Sequence, residues 1–149
     1  MPTAARVTES RTEVMADAAH LPQLTAFVQQ FWSSAELPPG GSMAFELALE
    51  EVFMNVVMHG AKGRSCRVEV CLALGADSVT MTVEDDGPGF DPLSLPPPDV
   101  TTSLPERPVG GLGVFLVRQM MDDVSYARVA HHNQLRMTKR VAGRPQSAA

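Results

Sequence analysis

Apolar positions change their rhythm along the chain, and the changes mark out its elements. Leu21, Leu24, Phe27, Val28 and Phe31 recur at helical spacing and predict a helix from Leu21 to about Ala35. Pro22 suits its first turn, where a missing N–H costs nothing. Pro38, Pro39, Gly40 and Gly41 then break the chain. Phe45, Leu49, Val52, Phe53 and Val56 share one face of a second helix, expected from Phe45 to Gly60 with Ser42 as N-cap. Strict alternation follows. Val68, Val70 and Leu72 fall on one side of a strand at 67–74, and Val79, Met81 and Val83 on one side of a strand at 79–84. Gly75 to Asp77 joins the two as a hairpin.

Beyond residue 84 the texture changes. Asp85-Asp86-Gly87-Pro88-Gly89-Phe90 is too glycine-rich to continue a strand. Residues 91–109 carry six prolines and predict a long lid without helix or central strand. Gly110, Gly111, Leu112 and Gly113 lead into a helix expected at 114–121. Two closing strands follow, at 124–130 and 134–141, turning at His132-Asn133. Residues 6–14 alternate loosely and suggest an edge strand, and residues 142–149 a disordered tail. Antiparallel hairpins interleaved with helices predict an α/β (α+β) two-layer sandwich, its sheet mixed but mostly antiparallel and covered on one face by helices. One domain spans 1–141, with no linker dividing it.

Composition narrows the picture. The 149 residues are 44% hydrophobic and 19% charged, with net charge −5, which suits a globular domain and advertises neither nucleic acid nor an anionic membrane. No apolar run approaches the ~20 residues of a membrane span. The N-terminus lacks a signal pattern, so the expected location is the cytoplasm. Cys66 and Cys71 are expected as small apolar fillers rather than a disulfide or a metal site.

Three clusters carry candidate chemistry. On the second helix Glu51, Asn55 and His59 stand at i, i+4 and i+8, a polar row beside an apolar stripe. Such a row needs partners or a ligand. Asn55 can offer an oxygen to Mg²⁺, and Glu51 one turn away can serve as a base. His59 reads as structural. At the strand end, Asp85, Gly87 and Gly89 form D-x-G-x-G. A pinned carboxylate there can accept from the exocyclic amine of adenine, and glycines admit a flat ligand. Gly110, Gly111 and Gly113 before a helix offer N–H groups to phosphate. Neither a Walker A loop nor a Rossmann fingerprint is present.

These motifs, in this order, resemble the GHKL ATPase/kinase superfamily: an N box from Glu51 to Asn55, the D-x-G-x-G box from Asp85 to Gly89, a lid, and a second glycine box at Gly110 to Gly113. The phrases EEVFMNVVMHG and GGLGVFLVRQMMDDVSY are most similar to the anti-sigma-factor serine/threonine kinases of bacterial partner-switching systems. The resemblance implies the GHKL ATP-binding fold and a protein kinase using ATP and Mg²⁺. It implies that Asn55 holds the metal, Asp85 reads the adenine amine, and the backbone of Gly110, Gly111, Leu112 and Gly113 holds phosphates. Glu51 is implied as general base, and Arg107 in the lid as a cation near the γ-phosphate. Implied partners are a sigma factor and an anti-anti-sigma antagonist, and such kinases are commonly dimers. The lid is richer in proline, and the second box shorter in glycine, than the family pattern. Two other readings remain: a detached sensor histidine-kinase catalytic domain, and a nucleotide-binding regulator without kinase activity.

Overall fold

A computed structural model describes residues 8–61, 65–94 and 111–141. Its elements are β1 (Glu9–Met15), α1 (Leu21–Ser34), α2 (Met43–Asn55), β2 (Arg67–Leu74), β3 (Ser78–Asp85), α3 (Gly111–Met120), β4 (Asp123–Val129) and β5 (His132–Arg140). Short 3₁₀ turns at Ala18–His20 and Pro92–Ser94 link them. Residues 1–7, the lid from 95 to 110, Gly63 and the tail from 142 lie outside the described residues.

The strands form one sheet in the order β1-β2-β3-β5-β4. The expected mixture of pairings is replaced by uniformity: every described pair is antiparallel. The alternation read from the sequence decides which face is covered. Val68, Val70, Leu72, Val79, Met81, Val83, Leu135 and Met137 are buried beneath the helices. They meet Leu24, Val28 and Phe31 of α1 and Phe45, Leu49, Val52 and Phe53 of α2 in one apolar cluster. The other face is polar, with Thr80 and Thr138 hydroxyls 3.0 Å apart across β3 and β5. This is an α+β sandwich with helices on one side. Among the described residues no helix is long and apolar enough to cross a membrane. Both cysteines are free.

Local chemistry explains the connections. The Trp32 indole N–H donates to the Pro38 carbonyl at 2.7 Å, and its ring tilts against Phe45. A Cβ at position 41 would meet the Trp32 ring at 2.6 Å, so glycine is required there. Ser42 precedes α2 but does not cap it through its side chain. Its hydroxyl instead donates to Glu46, 2.7 Å away, which also accepts from Gln29.

The last hairpin turns two residues earlier than its His-Asn pair predicts. Ala130 and His131 form the loop, with φ of 51° and 66°. A two-residue turn with both φ positive matches the twist of the flanking strands. His132 and Asn133 therefore belong to β5.

On the open face Glu84 lies 2.6 Å from His132 Nδ1 and accepts from Gln134 at 2.8 Å. The hydrogen bond from His132 is the main reason its carboxyl titrates below the usual range. The resulting stability is complete above the unfolded carboxyl value of about 4.3 and is lost as the pH falls through the depressed folded one. Thermal melts of wild type and Glu84→Gln across pH are expected to differ most at neutral pH and to converge in acid.

Candidate functional site

The site begins where α2 stops being an α-helix. Asn55 is its last α-helical residue, and Val56–Ala61 continues as a π-turn. Widening to i→i+5 bonding breaks the i+4 stacking expected for His59. Its ring leaves the row and stacks on Phe90, with centroids 5.3 Å apart. Asn55 stays inward, 5% exposed, and among the described residues its amide nitrogen has no hydrogen-bond partner. An unpaired buried donor costs about 1–3 kcal/mol.

Across a narrow cleft stands Asp85, the last residue of β3, 7% exposed. Its Oδ1 accepts from the backbone N–H of Gly87 and from Asn133 Nδ2, each at 3.0 Å. Space is tight at Gly87: a Cβ there would lie 3.0 Å from Asp85 Oδ1 and 3.2 Å from the Gly60 carbonyl, so its neighbours would have to give by a few tenths of an ångström. Gly89 is under no such pressure, since a Cβ would meet only Arg128 at ordinary contact distance. Beneath the turn lies the buried Cys66 thiol. Burial, with the Asp85 charge 4.0 Å away, pushes it up to about 12, so it stays protonated.

Asn55, Asp85, Gly60, Phe90, Pro92 and Asn133 all line the cleft, whose volume is about 30 Å³. That is room for water rather than for a ligand, whose pockets usually run to about 300–1,000 Å³.

Glu51 faces elsewhere. It sits one turn before Asn55, but its carboxylate packs on Gly113 in the first turn of α3. A Cβ at 113 would fall 2.0 Å from Glu51 Oε2, so the acid occupies the space a side chain would need. Burial, and then the neighbouring Glu50 charge, raise the Glu51 carboxyl above its usual range. Gly111, Leu112 and Gly113 form the start of α3 itself rather than a loop before it. Arg107 and Gly110 fall outside the described residues. Among the described residues no three His, Cys, Asp or Glu side chains gather as a metal site.

Sequence reasoning overlooked three residues. Asn133, 5% exposed, donates to Asp85 and to the Pro88 carbonyl (2.8 Å), and its oxygen accepts from Phe90 N at 3.1 Å. The Tyr126 hydroxyl and Arg128 Nη1 also donate to that oxygen. Arg128 Nη1 reaches the Gly87 carbonyl as well, at 3.0 Å. The available signal was alternation: counting back from Met137 and Leu135 puts 133 on the covered face.

The family described as histidine kinase-like ATPase domain matches residues 14–139. Among curated proteins, the serine/threonine-protein kinase BtrW of Bordetella bronchiseptica is 29% identical over 97 residues, covering 64% of this chain and 68% of that protein. The serine-protein kinase RsbW of Bacillus cereus is 29% identical over 83 residues, covering 53% of this chain and 52% of the relative. The match thus spans about half the length of the Bacillus protein.

The Glu51–Gly113 contact makes a sharp prediction. Gly113→Ala is expected to leave thermal stability unchanged or raise it by up to ~1 kcal/mol, because alanine favours helix. The same methyl displaces the Glu51 carboxylate, which a crystal structure of the variant would reveal. An unmoved Glu51 would contradict the packing described.

Proposed function

The chain belongs to the histidine kinase-like ATPase domain family, and on that premise we propose that it is an ATP-dependent serine/threonine protein kinase of the anti-sigma type. It phosphorylates an anti-anti-sigma partner and, when not so engaged, sequesters a sigma factor. The printed names of the relatives, serine/threonine-protein kinase and serine-protein kinase, support the reaction class. The similarity of motifs supports the partners and a cytoplasmic setting.

One observation carries the nucleotide reading. Asn55, a buried amide whose nitrogen has no partner among the described residues, and Asp85, a buried carboxylate, line the same cleft. The unpaired Asn55 donor is costly in an apolar setting, and a ligand phosphate oxygen accepting from it would recover that cost while the amide oxygen stays free for a cation. In this reading Asp85 accepts from the adenine amine. The side-chain oxygen of Asn55 holds Mg²⁺, whose role is to neutralise phosphate charge. Gly111, Leu112 and Gly113 open α3, and unsatisfied N–H groups at a helix start favour phosphate. By the family resemblance, Gly110 is also assigned to phosphate and Arg107 to the γ-phosphate.

Glu51 is the proposed base. Its raised carboxyl moves its proton affinity toward neutrality, the direction a general base requires. Its place on Gly113 puts it beside the expected phosphate end of the site rather than the base end. A serine or threonine hydroxyl brought there by the partner would lose its proton to Glu51 as the phosphoryl group transfers.

The test is transfer from ATP to a purified antagonist domain, followed by acid treatment. Acid-stable label is expected, as phosphoserine or phosphothreonine gives; acid-labile label would point to a histidine kinase. Binding without transfer would point to a regulator lacking kinase activity. Asn55→Ala is expected to lose Mg²⁺-dependent ATP binding. Glu51→Gln should still bind ATP but transfer about 10²–10⁴-fold more slowly.

A further inference from the structure

We infer that Asn133 is a positioning residue that makes the site select an adenine over a guanine nucleotide, by committing one oxygen of Asp85. The inference rests on the nucleotide reading above and adds the origin of its base choice.

A carboxylate has two oxygens and about four places to accept a hydrogen bond. Asp85 Oδ1 spends its two on Gly87 N and Asn133 Nδ2, both at 3.0 Å. The neutral Cys66 thiol crowds the same oxygen from 4.0 Å. Among the described residues no hydrogen bond reaches Oδ2. Asp85 therefore meets a ligand through one oxygen.

The two purines place different demands on that oxygen. Guanine presents a ring N–H and an exocyclic amine side by side, a fork that fits both oxygens of a free carboxylate. Adenine presents a single exocyclic amine between ring acceptors, and one oxygen serves it fully. At Asp85 guanine keeps half of its fork and leaves a donor unpaired in a buried site. Adenine loses nothing.

This selection depends on Asn133 not turning. Its second amide hydrogen is held by the Pro88 carbonyl at 2.8 Å. Its oxygen accepts from Phe90 N, Arg128 Nη1 and the Tyr126 hydroxyl. Reversing the amide would set its oxygen against the Asp85 carboxylate and its nitrogen against three donors. Every polar valence of Asn133 thus fixes the donor that occupies Oδ1.

ADP and GDP titrated calorimetrically into the full chain test this. Wild type is expected to bind ADP at least about tenfold more tightly than GDP, the scale on which a site rejects a ligand that leaves a buried polar group unpaired. In Asn133→Ala both affinities fall, and the ADP:GDP ratio collapses toward one. Asp86→Ala loosens the same turn by removing its hydrogen bond from Arg67 N, and leaves the contacts between Asp85 and Asn133 in place. It should weaken both nucleotides alike and keep the ratio, which separates positioning from general structural support. Should Asn133→Ala not fold, Asn133→Ser is expected to show the same loss of ratio. Equal affinities in wild type, or an undiminished ratio in the folded Asn133 variant, overturn the inference. If wild type binds ADP but transfers no phosphate, the kinase reading falls while the base choice stands. If it binds neither nucleotide, both fall.

Discussion

The amide of Asn133 and the carboxylate of Asp85 face each other across β5 and β3 as register partners. Much of the site hangs on that pair. The turn after β3 could leave the sheet in many directions, since it contains two glycines and a proline. Asn133 ties it down at Asp85, Pro88 and Phe90. Two polar side chains buried at one seam satisfy each other, which is the condition on which an apolar sandwich tolerates them. Asn55, facing them across the cleft, is the exception: among the described residues its nitrogen has no partner.

The pair exists only in one strand register. Sliding β5 by one residue would send Asn133 to the open face. The same slide would expose Met137 and Leu135, which lie opposite Met81 and Val83. On the open face it would part Glu84 from Gln134 and Thr80 from Thr138. The apolar core thus aligns the strands, and the chemistry at their ends inherits that alignment.

Periodicity made most of the fold legible. Alternation at 68–72 and 79–83, and helical spacing at 21–31 and 45–56, gave elements close to those found. What stayed hidden lay at the ends of elements. Gly60 looked like a helix terminator, yet the bonding pattern changes at Asn55. An α-to-π switch has no periodic signature, and so His59 was drawn into a row that it leaves. His132-Asn133 looked like a turn because asparagine favours turns. The real turn uses Ala130 and His131, and alanine does not advertise positive φ. Misplacing that turn concealed the residue that holds Asp85. The D-x-G-x-G motif, by contrast, was plain in the sequence, and part of it is drawn together: Gly87 N donates to Asp85 at 3.0 Å, while a side chain at Gly89 would meet only ordinary contacts.

Glu51 and Gly113 occupy a single volume, one side chain filling the place that the other lacks. Such positions cannot drift separately. A descendant that acquires a side chain at 113 has to shorten or relocate the acid at 51, and one that shortens the acid opens a gap at the head of α3. Across the family, residue size at these two positions should be inherited as one character. The breakdown of that linkage would mark a lineage in which the head of α3 packs differently.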